Sequence, residues 1–119
     1  MDVVVTVPKG LWAEWIAEGD LPGEEAEYAS HFWISTKSPL PRIKRGERVY
    51  IVAHGKLRGY APLEQIEPTC RLRQSSSCLL RHGGAVAVTI PEPIRGFQGW
   101  RYRWWEREAE VPFPDWQEP

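Results

Sequence analysis

The chain opens on Val3-Val4-Val5-Thr6-Val7, where Val3, Val5 and Val7 alternate with Asp2, Val4 and Thr6. Branching at Cβ restricts χ1 and suits a pleated backbone, so this run predicts a strand with at least one buried face. Pro8, which has no N–H to donate, ends it. From Pro8 to Glu18 the period changes. Leu11, Trp12, Trp15 and Ile16 fall on one helical stripe, Glu14 and Glu18 fall on the other side, and Gly19 suits the C-terminal cap. Large apolar residues at that spacing are read as core, Trp12 and Trp15 included. Asp20 to Ser30 has no sustained period and reads as an exposed loop.

Further on the signals are those of strands. His31 to Thr36 is a second strand by composition, and Pro39 and Pro41 keep the following loop out of helix and sheet. Arg48 to Ala53 is apolar on both faces and is expected to be central. Gly55-Lys56 predicts a tight hairpin turn into Leu57 to Leu63, where Gly59 suits a bend. In Arg71 to Arg81 the run Ser75-Ser76-Ser77 breaks any pattern and reads as a loop between two short strands. Ala85 to Ile90 and Trp100 to Trp105 are expected as strands. Many short strands, one early helix and no β-α alternation favour a mainly β fold closed as a small barrel.

Length and composition make this one domain, residues 1–119, with an acidic, proline-rich tail from about 106 to 119 that Phe113 and Trp116 are expected to dock on the body. The net charge of -1 hides a segregation. Residues 1–36 carry -6, residues 37–105 carry +9 and residues 106–119 carry -4. A basic middle segment can present a positive face to a polyanion, or the acidic ends can fold back over it.

Cys70 and Cys78, the only cysteines, lack the short paired spacings and His partners of common zinc sites and are read as reduced thiols. His31, His54 and His82 are read as structural, and no cofactor motif occurs. The first eight residues carry an acid where an export signal carries positive charge. No run is long enough to span a membrane, so a cytoplasmic protein without a membrane partner is expected.

The succession His31-Phe32-Trp33-Ile34-Ser35, then Ile43-Lys44-Arg45-Gly46-Glu47-Arg48-Val49-Tyr50-Ile51, then Gly55-Lys56-Leu57-Arg58-Gly59-Tyr60-Ala61, resembles the PUA-like superfamily, its ASCH and EVE branches above all. That resemblance implies a pseudobarrel with a cleft that receives RNA or a modified base, and it implies Trp33, Ser35, Thr36, Arg58 and Tyr60 as cleft residues. Some ASCH relatives are small amidohydrolases acting on acylated nucleosides through a Gly-x-Lys-x-x-Glu-x-Arg run. Here Gly19 and Glu24 are kept, but Leu21 and Ala26 stand where the Lys and Arg belong.

The residues themselves point to binding through Arg95 to Trp105. Alternation there sets Trp100, Tyr102 and Trp104 on one face and Arg101, Arg103 and Trp105 on the other. Arginine matches phosphate geometry and tryptophan stacks on bases, the pairing that single-stranded nucleic acid binders use. Lys37, Arg42, Lys44 and Arg45 add a basic loop. The expected function is therefore binding of RNA or a modified nucleobase without catalytic residues. The alternatives are the nucleoside amidohydrolase, with Glu24 or another acid as base, and a protein-interaction domain; the oligomeric state is open.

Arg outnumbers Lys 11 to 4, Asn is absent and Pro occurs 11 times, the direction of heat adaptation or of a GC-rich genome. Calorimetry is expected to place the melting midpoint well above the mesophile range, and a midpoint near ~55 °C would remove that reading.

Overall fold

The computed structural model describes residues 1–17, 30–35, 39–70, 76–81 and 85–119, the segment 30–35 through its backbone alone. The chain is mainly β. A six-stranded sheet runs in the order β2-β5-β4-β3-β1-β7, built from β1 (Val3–Thr6), β2 (Ser30–Ser35), β3 (Arg48–Ala53), β4 (Lys56–Glu67), β5 (Ser76–Arg81) and β7 (Trp100–Tyr102). β6 (Val88–Thr89) and β8 (Val111–Pro112) form a separate pair. One short helix, α1 (Trp12–Ala17), follows β1 after a single 3-10 turn.

β1 lies inside the sheet, parallel to β3 and antiparallel to β7, so its register places Val3 between Val49 and Tyr102. Both faces of this centre are buried, which is why β1 and β3 are apolar except at Thr6 and Arg48, which stand at their ends and are only partly buried. On one face Val3, Val5, Val49, Ile51, Ala53 and Leu63 pack with Trp12 and Trp116. On the other, Val4, Tyr50, Val52 and Leu57 pack with Ile90, Ile94 and Trp105. The period-two alternation of β1 and β3 thus sorts one strand's residues into two cores.

β4 gives the sheet its half-barrel curl. It is twelve residues long, pairs with β3 along its first half and with β5 along its second, and its register slips twice, opposite Ile51/Val52 and between Leu63 and Gln65. Each slip leaves one residue of β4 without a partner across the ladder, Arg58 and then Glu64, and such bulges bend and twist a strand. Gly59, at φ 153°, follows the first in a backbone conformation that favours glycine. The β3–β4 turn is His54-Gly55, one residue earlier than Gly55-Lys56, and both residues have positive φ, 48° and 74°, as a primed hairpin turn requires.

Three segments differ from expectation. Ser76 and Ser77 do not break the chain: they begin β5, buried, with the Ser77 hydroxyl donating to the Pro68 carbonyl at 2.7 Å, which removes the cost of burying it. Ala85 to Ile90 is not one strand. It touches β4 at a single bridge, where Val86 and Tyr60 exchange backbone hydrogen bonds of 2.8 and 3.0 Å, and only Val88–Thr89 pairs again, with β8. β7 stops at Tyr102, short of Trp105, although the Arg103 N–H still donates to the Asp2 carbonyl at 3.1 Å and the Arg103 side chain meets the Asp2 carboxylate. The tail docks, with Trp116 buried and Phe113 against the core. Gly19 to Ala26, Thr36 and Lys37 lie outside the described residues. Among the described residues no helix is long and apolar enough to cross a membrane.

Asp2 ties the sheet to the chain's second half. Its buried carboxylate accepts from the Arg48 N–H at 2.9 Å, from Arg103 Nε at 3.1 Å and from Arg107 at 3.0 Å. Burial alone would raise its pKa, but the Arg48 N–H and the Arg107 and Arg103 guanidiniums outweigh it and hold the carboxyl below its usual range. A depressed carboxyl stabilises the fold at every pH above its unfolded pKa and loses that contribution as pH falls through the folded value. Asp2→Asn is expected to cost on the order of 2 kcal/mol at neutral pH in urea unfolding, with the gap from the unsubstituted chain narrowing below pH ~4.

Candidate functional site

The bulge at Arg58 turns its side chain into the protein. The guanidinium is fully buried and donates to the Ala53 carbonyl at 2.8 Å, to Trp116 at 3.2 Å and to the carbonyl of Glu118. The rings of Phe113 and Trp12 lie 5.4 and 5.6 Å from it. Burial pulls its pKa below the ordinary arginine value. Its donors are spent on the C-terminal tail and the β3–β4 hairpin, so Arg58 works as an internal clamp.

On the opposite face of the sheet a second knot forms around Glu110. Its carboxylate, whose side chain is 7% exposed, accepts from Arg48 at 3.0 Å, the Tyr50 hydroxyl at 2.5 Å and Trp105 Nε1 at 2.9 Å. Arg48 also lies over the Tyr60 ring at 4.0 Å, and Tyr50 meets Tyr60 and Trp105 at 5.2 and 5.1 Å between ring centres. Burial, then the hydrogen bond to Glu110, raises the Tyr50 pKa against the pull of Arg48, so the phenol stays protonated and donates. Here a carboxylate of the acidic tail, Glu110, folds onto the basic segment.

The residues read from the sequence therefore separate. Tyr60 and Trp105 meet in the Glu110 knot, and Trp105 is buried. Arg103 is committed to Asp2 and to the Trp105 carbonyl. Trp33 and Ser35 pair with Cys78 and Ser76 along β2, one edge of the sheet, while Arg101 stands on β7, the other edge. Thr36 and Lys37 lie outside the described residues.

Arg101 is exposed and lies over the Phe97 ring at 4.3 Å. Trp104, 44% exposed, meets Phe97 edge-on at 6.4 Å and donates from Nε1 to Glu92 at 3.2 Å. Strand alternation groups Trp104 with Trp100 and Tyr102, but those two pack on the other core and form their own pair at 4.8 Å. Trp104 joins Arg101 because β7 has already ended. Phe97 and Trp104 were missed as partners of Arg101 for that reason, and Glu110 was missed because nothing in an acidic tail marks which carboxylate turns inward.

Arg58→Met is expected to leave the Ala53, Trp116 and Glu118 carbonyls short of a donor and to cost on the order of 3 kcal/mol. Urea unfolding measures the loss, and chymotryptic cleavage after Trp116 should quicken; a variant as stable and as protected as the unsubstituted chain would refute the clamp.

A family model described as "Protein of unknown function (DUF1489)" matches residues 14–113. No curated protein and no solved structure matches the chain.

Proposed function

The chain belongs to the DUF1489 family, whose description names no activity, and we propose from the geometry that it is an RNA- or nucleobase-binding module of PUA-like type, taking unpaired bases on the Arg101–Phe97–Trp104 surface. The observation that carries this reading is the exposed guanidinium stacked on Phe97 beside an exposed indole at the end of an edge strand. A base can stack on the indole while the guanidinium meets its phosphate. The curled, mainly β sheet is compatible with a PUA-like pseudobarrel.

Charge favours the same surface. The middle segment carries the surplus of basic groups, and Arg42, Lys44, Lys56, Arg95 and Arg101 are exposed. Arg58, Arg48 and Arg103 are held inside by carbonyls or carboxylates, so a cleft built on Arg58 would first have to release the tail. The exposed surface needs no such opening. The amidohydrolase alternative rests on Glu24, outside the described residues, and no observation favours it.

Titrating a labelled single-stranded RNA should quench tryptophan fluorescence. Affinity should fall with salt by about 0.7 log units per log unit of salt for each phosphate contacted. Trp104→Ala should weaken binding roughly tenfold or more, the scale of one stacked base, and Arg101→Ala should weaken it and flatten the salt slope. Absence of binding at low salt to single-stranded, duplex and structured RNA would overturn the reading, and so would unchanged affinity in the Arg101→Ala, Trp104→Ala double variant.

A further inference from the structure

Where β4 ends and β5 runs back beside it, the fold gathers three ligand-type side chains that are far apart in type and use. Glu67 closes β4 and stands opposite Cys78 in the ladder. The turn Pro68-Thr69 then brings Cys70 back, its N–H donating to the Ser76 carbonyl at 2.8 Å, while the Ser77 hydroxyl holds the Pro68 carbonyl. The two sulfurs and the carboxylate oxygen all lie within 4.8 Å of one another, and all three residues are buried.

We propose that Glu67, Cys70 and Cys78 form a zinc site and supply three of its four ligands. Zinc sits about 2.3 Å from a thiolate sulfur and about 2.1 Å from a carboxylate oxygen, and a tetrahedral angle between such ligands separates them by about 3.6 Å. Cys78 Sγ lies 3.6 Å from Glu67 Oε1. Two sulfurs on one zinc are separated by about 3.8 Å, inside the 4.8 Å limit of the cluster. Two soft sulfurs and one oxygen suit zinc better than calcium or magnesium, which prefer oxygen donors in larger number. The described residues supply three corners of the tetrahedron.

The site has a mechanical consequence. Each ligand stands on backbone already fixed by hydrogen bonds: Glu67 and Cys78 in the ladder, Cys70 through Ser76. The metal would therefore cross-link the β4 end to β5 at little cost in reorganisation. The two thiols coordinate as thiolates, each releasing a proton to solvent, so acid weakens binding.

The full chain, purified without chelator, should carry close to one equivalent of zinc by elemental analysis. Exchange into cobalt(II) should produce a sulfur-to-metal charge-transfer band in the near ultraviolet and visible bands of tetrahedral intensity. Cys70→Ser and Cys78→Ser should each diminish the charge-transfer band, and Glu67→Gln should shift the visible bands while keeping it. Should those variants fail to fold, the unsubstituted protein's cobalt spectrum decides. The assignment is overturned if the purified chain holds no zinc and cobalt loading yields no charge-transfer band, or if the unfolded, unreduced chain shows no titratable thiol because Cys70 and Cys78 are joined in a disulfide.

Discussion

A guanidinium inside the protein is the constraint around which this half-barrel is organised. The bulge that places Arg58 is also the first of the two that bend β4, so strand curvature and burial of a charge have one origin. Once inside, the charge requires acceptors, and the carbonyls available are those of the hairpin and of the last residues of the chain. Docking of the tail follows from that need. The aromatic rings of Trp12 and Phe113 face the same group and offer it their π surfaces.

The same economy governs the opposite face, where Glu110 reaches in to meet Arg48, Tyr50 and Trp105, and the sheet's edge, where Asp2 meets Arg103 and Arg107. Segregated charge along the chain becomes pairing in space: acids from the two ends neutralise part of the basic middle. What remains outward includes Arg42, Lys44, Lys56, Arg95 and Arg101. Arg101 on its phenyl ring beside Trp104 is such a remainder, and this gives it weight as a contact surface.

Legibility in the sequence followed the strength of the local signal. β1 and β3 were readable because a doubly buried strand is apolar on both faces along its buried length, Val3 to Val5 and Val49 to Ala53 here, and the tight hairpin was readable from its glycine. α1 was readable from its tryptophan stripe, although it is shorter than the period suggested. β5 was obscured by its serines, of which Ser77 has its hydroxyl satisfied by a carbonyl that only the fold brings near. The fate of Arg58 was beyond reach, since alternation assumes an unbroken ladder and a single extra residue reverses which way a side chain points. For the same reason a pattern carried past the true end of β7 put Trp104 on the wrong side. The meeting of Glu67, Cys70 and Cys78 rests on strand register, and spacing alone does not encode it.

The position of β1 has an effect on how the molecule can assemble. The strand at the start of the chain is flanked by one strand from the middle and another from near the end, Val3 touching the rows of Val49 and Tyr102. Neither flank can form from neighbouring sequence, so large loops must close before β1 gains its pairing, and such topologies fold slowly. A cut between β4 and β5 would leave β1 beside β3 but strip it of β7, so the strand that opens the chain keeps both its neighbours only while the polypeptide is whole.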